Sequence, residues 1–193
     1  TITNLSLNIS RVVVYLDSNV KGKLREDLMD SSFSSIWIEL GSSDKPLLIG
    51  CVYREHQYMK QADNSSLSHE NQFLRWNIFI QQWKAALASG AEVHTLGDFN
   101  IDSKAFHTSV GNYGDLIKMV KENIISQGVT QCVKSPTRWP QGLQAGIPVT
   151  IDHHWTTAPE KLSEVSLMHM GSSDHALLSV VRYSRCVKSS QQY

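Results

Sequence analysis

The run Leu47-Leu48-Ile49-Gly50-Cys51-Val52-Tyr53 limits the fold more than any other stretch of this chain. A half-exposed strand alternates apolar and polar residues, whereas this run is apolar nearly throughout, so it reads as a strand covered on both faces. Ser35-Ile36-Trp37-Ile38-Glu39-Leu40 precedes it, and the turn-forming cluster Gly41-Ser42-Ser43-Asp44-Lys45-Pro46 lies between them. Two strands around such a cluster predict an antiparallel hairpin. The chain must therefore build a sheet with a layer on each side of its centre.

Further strands are predicted at Arg11–Leu16, with three consecutive valines, and at Glu92–Leu96, Val129–Val133, Val149–Trp155, Glu164–Met168 and His175–Arg182. After Ser68, the spacing of Phe73, Trp76, Ile80, Trp83 and Leu87 predicts a helix that Gly90 ends. Trp76 and Trp83 are expected in its core. A second helix is predicted near Tyr113–Gln127, ending at Gly128. Glu55–Ser68 and Lys134–Pro148 read as loops, the latter with three prolines. Strand runs with two interspersed helices imply an α/β sandwich of mixed sheets. At 193 residues the chain is the length of one domain, 1–193, and residues 188–193 read as a tail.

Composition removes several functional classes. Eighteen Lys and Arg balance eighteen Asp and Glu, so a uniformly basic nucleic-acid coat is excluded while a local basic groove is not. No apolar run approaches the roughly 18 residues of a membrane span, and no secretory leader is visible. The three cysteines, Cys51, Cys132 and Cys186, are far apart, which argues against structural zinc or a disulfide framework. An intracellular location, nuclear or cytoplasmic, is expected, and the sequons at Asn4, Asn8 and Asn64 read as chance.

Three stretches carry chemistry. In Leu96-Gly97-Asp98-Phe99-Asn100 a strand ends in an acid and an amide two residues apart. Extended backbone would aim both at one pocket, to activate water and to bond a phosphate oxygen; an Asx turn is the plainer reading. Gly171-Ser172-Ser173-Asp174-His175 sets an acid beside an imidazole, the usual general acid or base. Ile151-Asp152-His153 places a carboxylate in an apolar stretch, where it needs a partner; His175, His153 and His154 are the candidates. His154, the second histidine of the pair, is not read as a metal ligand. Trp139 after Arg138 could stack on bases.

Taken in order, Leu96-Gly97-Asp98-Phe99-Asn100, Pro136-Thr137-Arg138, Ile151-Asp152-His153 and Ser173-Asp174-His175 resemble the signature of the endonuclease/exonuclease/phosphatase superfamily. The flanks 35–40 and 47–54 resemble its branch of apurinic-type endonuclease domains linked to reverse transcriptases of non-LTR retrotransposons. The resemblance implies a two-sheet α/β/β/α sandwich and a phosphodiester hydrolase that uses Mg2+ or Mn2+ and takes DNA as substrate, with a covalently linked reverse transcriptase as a possible partner. It implies that Asp98 orients or deprotonates water, that Asn100 and His175 contact the scissile phosphate, and that Asp152 orients His175. It also implies substrate contacts from Tyr53 and Ser173, a substrate-phosphate or structural contact from Thr137, and a metal contact from Asp174.

The same resemblance exposes a gap. Family domains begin with a strand ending in Asn, then one ending in a metal-binding Glu. Here Thr1–Ser10 holds Asn4 and Asn8 but no acid, and Glu26 and Asp27 come after the first valine-rich strand. The chain therefore reads as lacking the family's first strands, with activity impaired. Two other readings stand beside nicking of DNA: a phosphatase or lipid phosphodiesterase of the same superfamily, and a non-catalytic remnant.

Overall fold

The computed structural model describes residues 2–3, 11–41, 45–55, 69–107, 114–140 and 146–183. The three sequons, the Ser68 helix start, most of the 55–68 loop, Cys186 and the 188–193 tail lie outside these residues. In chain order the elements are β1 (Ile2–Thr3), β2 (Val13–Val14), β3 (Gly22–Leu24), β4 (Ser35–Leu40), β5 (Leu47–Tyr53), α1 (His69–Ala88), β6 (Glu92–Asp98), α2 (Gly114–Asn123), β7 (Thr130–Gln131), β8 (Asp152–Thr156), β9 (Ser166–His169) and β10 (Ala176–Ser179).

Six strands form one mixed sheet in the order β3-β4-β5-β6-β8-β7. The unbroken apolar strand β5 lies inside it, as its composition requires. β4 and β5 pair antiparallel, with Leu40 opposite Leu47, so the hairpin forms where the turn cluster predicts it. β5 and β6 are parallel, which demands a crossover, and α1 supplies it. Two short antiparallel ribbons, β1–β2 and β9–β10, complete an α/β fold of mixed sheets with two α-helices.

The main core lies between the sheet and the helices. Trp37, Leu48, Val52, Val93 and Trp155 from the sheet meet Trp76, Phe79, Ile80, Trp83 and Ala86 of α1 and Leu116, Ile117 and Val120 of α2. Trp76 and Trp83 are both buried, as their spacing predicts. Phe73 is not; it is 38 % exposed, so the buried stripe of α1 starts one turn later, at Trp76. Gly50 faces the Trp37 ring, and a Cβ there would come within 2.8 Å of it. Gly97 is more constrained. Its φ is 140°, and a Cβ would lie 1.9 Å from the Val52 carbonyl oxygen, so only glycine lets β6 run this close to β5.

Several boundaries differ from those read in the sequence. The Arg11–Leu16 strand contracts to Val13–Val14, which pairs with β1. Val149 makes only a bridge to Arg138, and continuous pairing begins at Asp152. The second helix stops at Asn123 and tightens into a 3₁₀ turn at Ile125–Gln127, closed by Gly128 at φ 80°. β3 has no period-2 signal in Gly-Lys-Leu and exists by pairing with β4. No helix among the described residues is long and apolar enough to cross a membrane.

Candidate active site

Strand alternation divides the six-stranded sheet into two faces. The helices cover the one bearing Trp37 and Trp155. The opposite face carries Ile36, Ile38, Ile49, Cys51, His94, Leu96, His154 and Thr156, and at one end Tyr53, Asp98 and Asp152. Register sets those last three in a single row: Tyr53 lies opposite Asp98, and Asp98 lies opposite Asp152. His175 joins them from the residue preceding β10. Its Nδ1 is 2.9 Å from Asp152 Oδ2. Ligand atoms of Asp98, Asp152 and His175 all lie within 4.8 Å of one another. Of the partners open to Asp152 in the sequence, the structure selects His175.

Two carboxylates side by side raise each other's cost of ionisation. Burial pushes the Asp98 carboxyl up to about 6, the Asn100 N–H opposes the shift, and the neighbouring Asp152 charge adds to it. Such a pair of acids suits a divalent cation, whose charge would relieve the repulsion, and hard ions such as Mg2+ prefer carboxylate oxygens. The His175–Asp152 bond fixes the ring and leaves Nε2 as its outward atom.

Asn100 does not follow the extended geometry read from the sequence. Its φ is 48°, the left-handed region, so the i, i+2 rule fails at this turn. Its N–H donates to Asp98 Oδ1 at 2.8 Å, an Asx turn, and its Nδ2 donates to the Arg54 carbonyl at 2.6 Å. Thr137 is fully buried, and its Oγ1 accepts the N–H groups of Ile151 and Asp152 at 3.2 and 3.0 Å. It therefore holds Asp152 in place and is not available to a substrate. Ser173 Oγ accepts the His175 N–H at 3.0 Å and shapes the turn before β10.

Asp174 stands apart from the three converging groups. Arg138 Nε donates to its Oδ2 at 2.8 Å and holds its carboxyl below the ordinary carboxylate value. The acids that converge are Asp98 and Asp152, and Asp174 is not among the groups that meet there. Arg11 lies over the Tyr53 ring at 5.6 Å. Trp139 is half-buried, with its ring centroid 4.0 Å from that of His169.

His153 and His154 are both buried, on opposite faces of β8. His153 stacks on Phe99 at 4.8 Å, bonds the Thr150 carbonyl oxygen through Nε2, and accepts from Trp155 Nε1 at Nδ1. His154 Nε2 meets His94 Nδ1 at 3.0 Å. Burial drives both rings down to about 4 from an ordinary 6.5. The folded state thus favours the neutral rings. That stability is complete above pH 6.5 and is lost as pH falls towards the folded value of about 4. Asp98 opposes this, because its raised value penalises folding at neutral pH and the penalty fades in acid. Two histidines outweigh one aspartate. Urea denaturation at about pH 4.5 should give a stability lower by roughly 2–4 kcal/mol than at pH 7.

Comparison with solved structures identifies the architecture. The endonuclease domain of TRAS1, a telomere-specific non-LTR retrotransposon, superposes with a TM-score of 0.60 at 14 % identity, over 89 % of this chain and 72 % of that one. This chain has the endonuclease/exonuclease/phosphatase fold. The 3′ phosphatase NExo from Neisseria, bound to a product DNA hairpin, shares the fold with a TM-score of 0.56 at 14 % identity, over 86 % of this chain and 71 % of that one. An AP endonuclease from Archaeoglobus fulgidus gives 0.54 at 12 % identity, over 85 % and 70 %. No family model and no curated protein matches the sequence.

Two contributors to the site escaped the sequence reading. Arg54 grips the Asp98–Asn100 turn, and Arg138 neutralises Asp174. Arg138 stands inside the Pro-Thr-Arg motif, which could have drawn attention to it. Arg54 directly follows Tyr53 but carries no local signal.

Proposed function

We propose that this chain is a divalent-metal-dependent phosphodiester hydrolase that nicks DNA. The observation carrying this reading is the convergence of Asp98, Asp152 and His175 at the end of the six-stranded sheet, beside Tyr53. The fold it shares with the TRAS1 endonuclease domain, NExo and the Archaeoglobus AP endonuclease supports it.

Asp98 and Asp152 would hold the ion, Mg2+ or Mn2+, and when bound it supplies Lewis-acid polarisation of a phosphoryl oxygen. The chain's own groups perform the rest. Asp98 would also orient the attacking water and take its proton. His175 places Nε2 against the phosphoryl oxygen on which charge grows, and Asp152 fixes that ring through Nδ1. The Asx turn holds Asp98 in position, and Asn100 has a second amide proton for the phosphate. Tyr53 lines the same row and contacts the substrate. In this reading the domain is a two-sheet sandwich in which β1–β2 and β9–β10 belong to the second sheet.

Two carboxylates make a weak site, so the assay belongs at millimolar metal. Conversion of supercoiled plasmid to open circle, stopped by EDTA and exceeding phosphate release from p-nitrophenyl phosphate, is the expected result. Phosphate release without nicking would favour the phosphatase reading. Neither activity at saturating Mg2+ or Mn2+ would favour a fold without catalysis.

A further inference from the structure

Arg54 touches the turn that carries Asp98 at four points. Its N–H donates to the Asp98 carbonyl oxygen at 2.8 Å. Its own carbonyl accepts Asn100 Nδ2 at 2.6 Å. Its guanidinium Nη1 donates to the carbonyl oxygens of Phe99 and Asn100, at 3.3 and 3.2 Å. The same group lies 5.9 Å from the Trp76 ring, and Nη2 reaches Gln72 Oε1 at 3.3 Å.

Arg54 is only 5 % exposed. Burying a guanidinium costs desolvation, which only several hydrogen bonds offset, and its planar fork can serve two neighbouring carbonyls at once. The turn it serves needs such support. Asn100 is the one described non-glycine residue with positive φ, a left-handed conformation that its surroundings must hold. It sits two residues from Asp98, whose carboxylate accepts the Asn100 N–H.

We propose that Arg54 is a positioning residue of the site. It acts through Asn100, fixing the left-handed turn so that the Asp98 carboxylate stays aimed at Asp152 and His175. The catalytic meaning of this rests on the hydrolase reading above; the grip on the turn does not.

The variants Arg54→Met and Arg54→Lys separate these levels. Amide hydrogen exchange, followed by NMR, compares Asn100 with Val93, a core amide of β6. In Arg54→Met the Asn100 amide should exchange at least about 10-fold faster relative to Val93, and Arg54→Lys, which keeps the charge and one donor direction, should lie between. In metal-dependent plasmid nicking, kcat of Arg54→Met should fall about 30-fold with KM little changed, and Arg54→Lys should recover part of it. Equal acceleration of both amides, or an unchanged kcat, overturns the proposal. If Arg54→Met does not fold, Arg54→Lys alone decides on the same two readouts. A wild-type chain without nicking overturns the hydrolase reading, and the exchange ratio then decides the role of Arg54 alone.

Discussion

Asp98→Asn should slow metal-dependent nicking by about 10³-fold while leaving the fold intact. The substitution keeps the size of the side chain, and its amide oxygen can still accept the Asn100 N–H that Asp98 Oδ1 accepts at 2.8 Å. It removes the charge that faces Asp152 across β6 and β8, and with it the group proposed to take a proton from water. Stability should move the other way. Burial and the Asp152 charge hold the Asp98 carboxyl up at about 6, so ionised Asp98 destabilises the folded state at neutral pH. A neutral isostere relieves that penalty. The thermal midpoint should therefore hold steady or rise as activity collapses, and a variant that kept wild-type nicking would remove Asp98 from the chemistry.

Glu92→Ala should cost roughly 3–5 kcal/mol of stability, read as the shift in urea denaturation, with no direct loss of chemistry. Glu92 is fully buried at the opposite end of β6 from Asp98. Arg182 donates to it twice, at 2.6 and 3.0 Å, Lys161 once at 2.7 Å, and His94 Nε2 lies 2.9 Å away. Burial alone would raise its carboxyl, yet these partners hold it well below the ordinary value. Its contribution is present above its unfolded value of 4.5 and disappears as pH falls through the depressed one. Removing the acid takes from two partly buried cations the anion that anchors them, and it unties the segment after β10 from the sheet. An exposed pair offers the contrast: Lys118 and Glu122 are 3.9 Å apart and more than half exposed, so Glu122→Ala should change stability by about 0.5 kcal/mol or less. A Glu92→Ala loss no larger than that would mean that the buried network is not stabilising.

Much of this architecture was legible because its signals are periodic or local. The apolar run of β5 announced a central strand, and the three- and four-residue spacing of Trp76, Ile80 and Trp83 announced α1. The meeting of Asp152 with His175 could be anticipated, since a carboxylate between apolar neighbours needs a partner. Other features depend on contacts that spacing does not encode. β3 is a strand only because β4 offers it an edge. Asn100 was misplaced because alternation assumes extended backbone, and the chain turns left-handed there. Glu92 carries no local mark, since its cations stand 69 and 90 residues away. The sequence reading puts Asp174 near the metal and Asp152 beside His175; in the structure Asp174 pairs with Arg138, while Asp152 meets His175 and lies opposite Asp98.

The proposed function requires that Asp98 and Asp152, beside His175, hold one divalent cation, and paramagnetic broadening of the 15N-labelled chain by Mn2+ tests this most directly. Signals of Asp98, Asp152 and His175 should broaden first and together, and Asp98→Asn should largely abolish the effect. Broadening centred on other acids, or unaffected by Asp98→Asn, would contradict it.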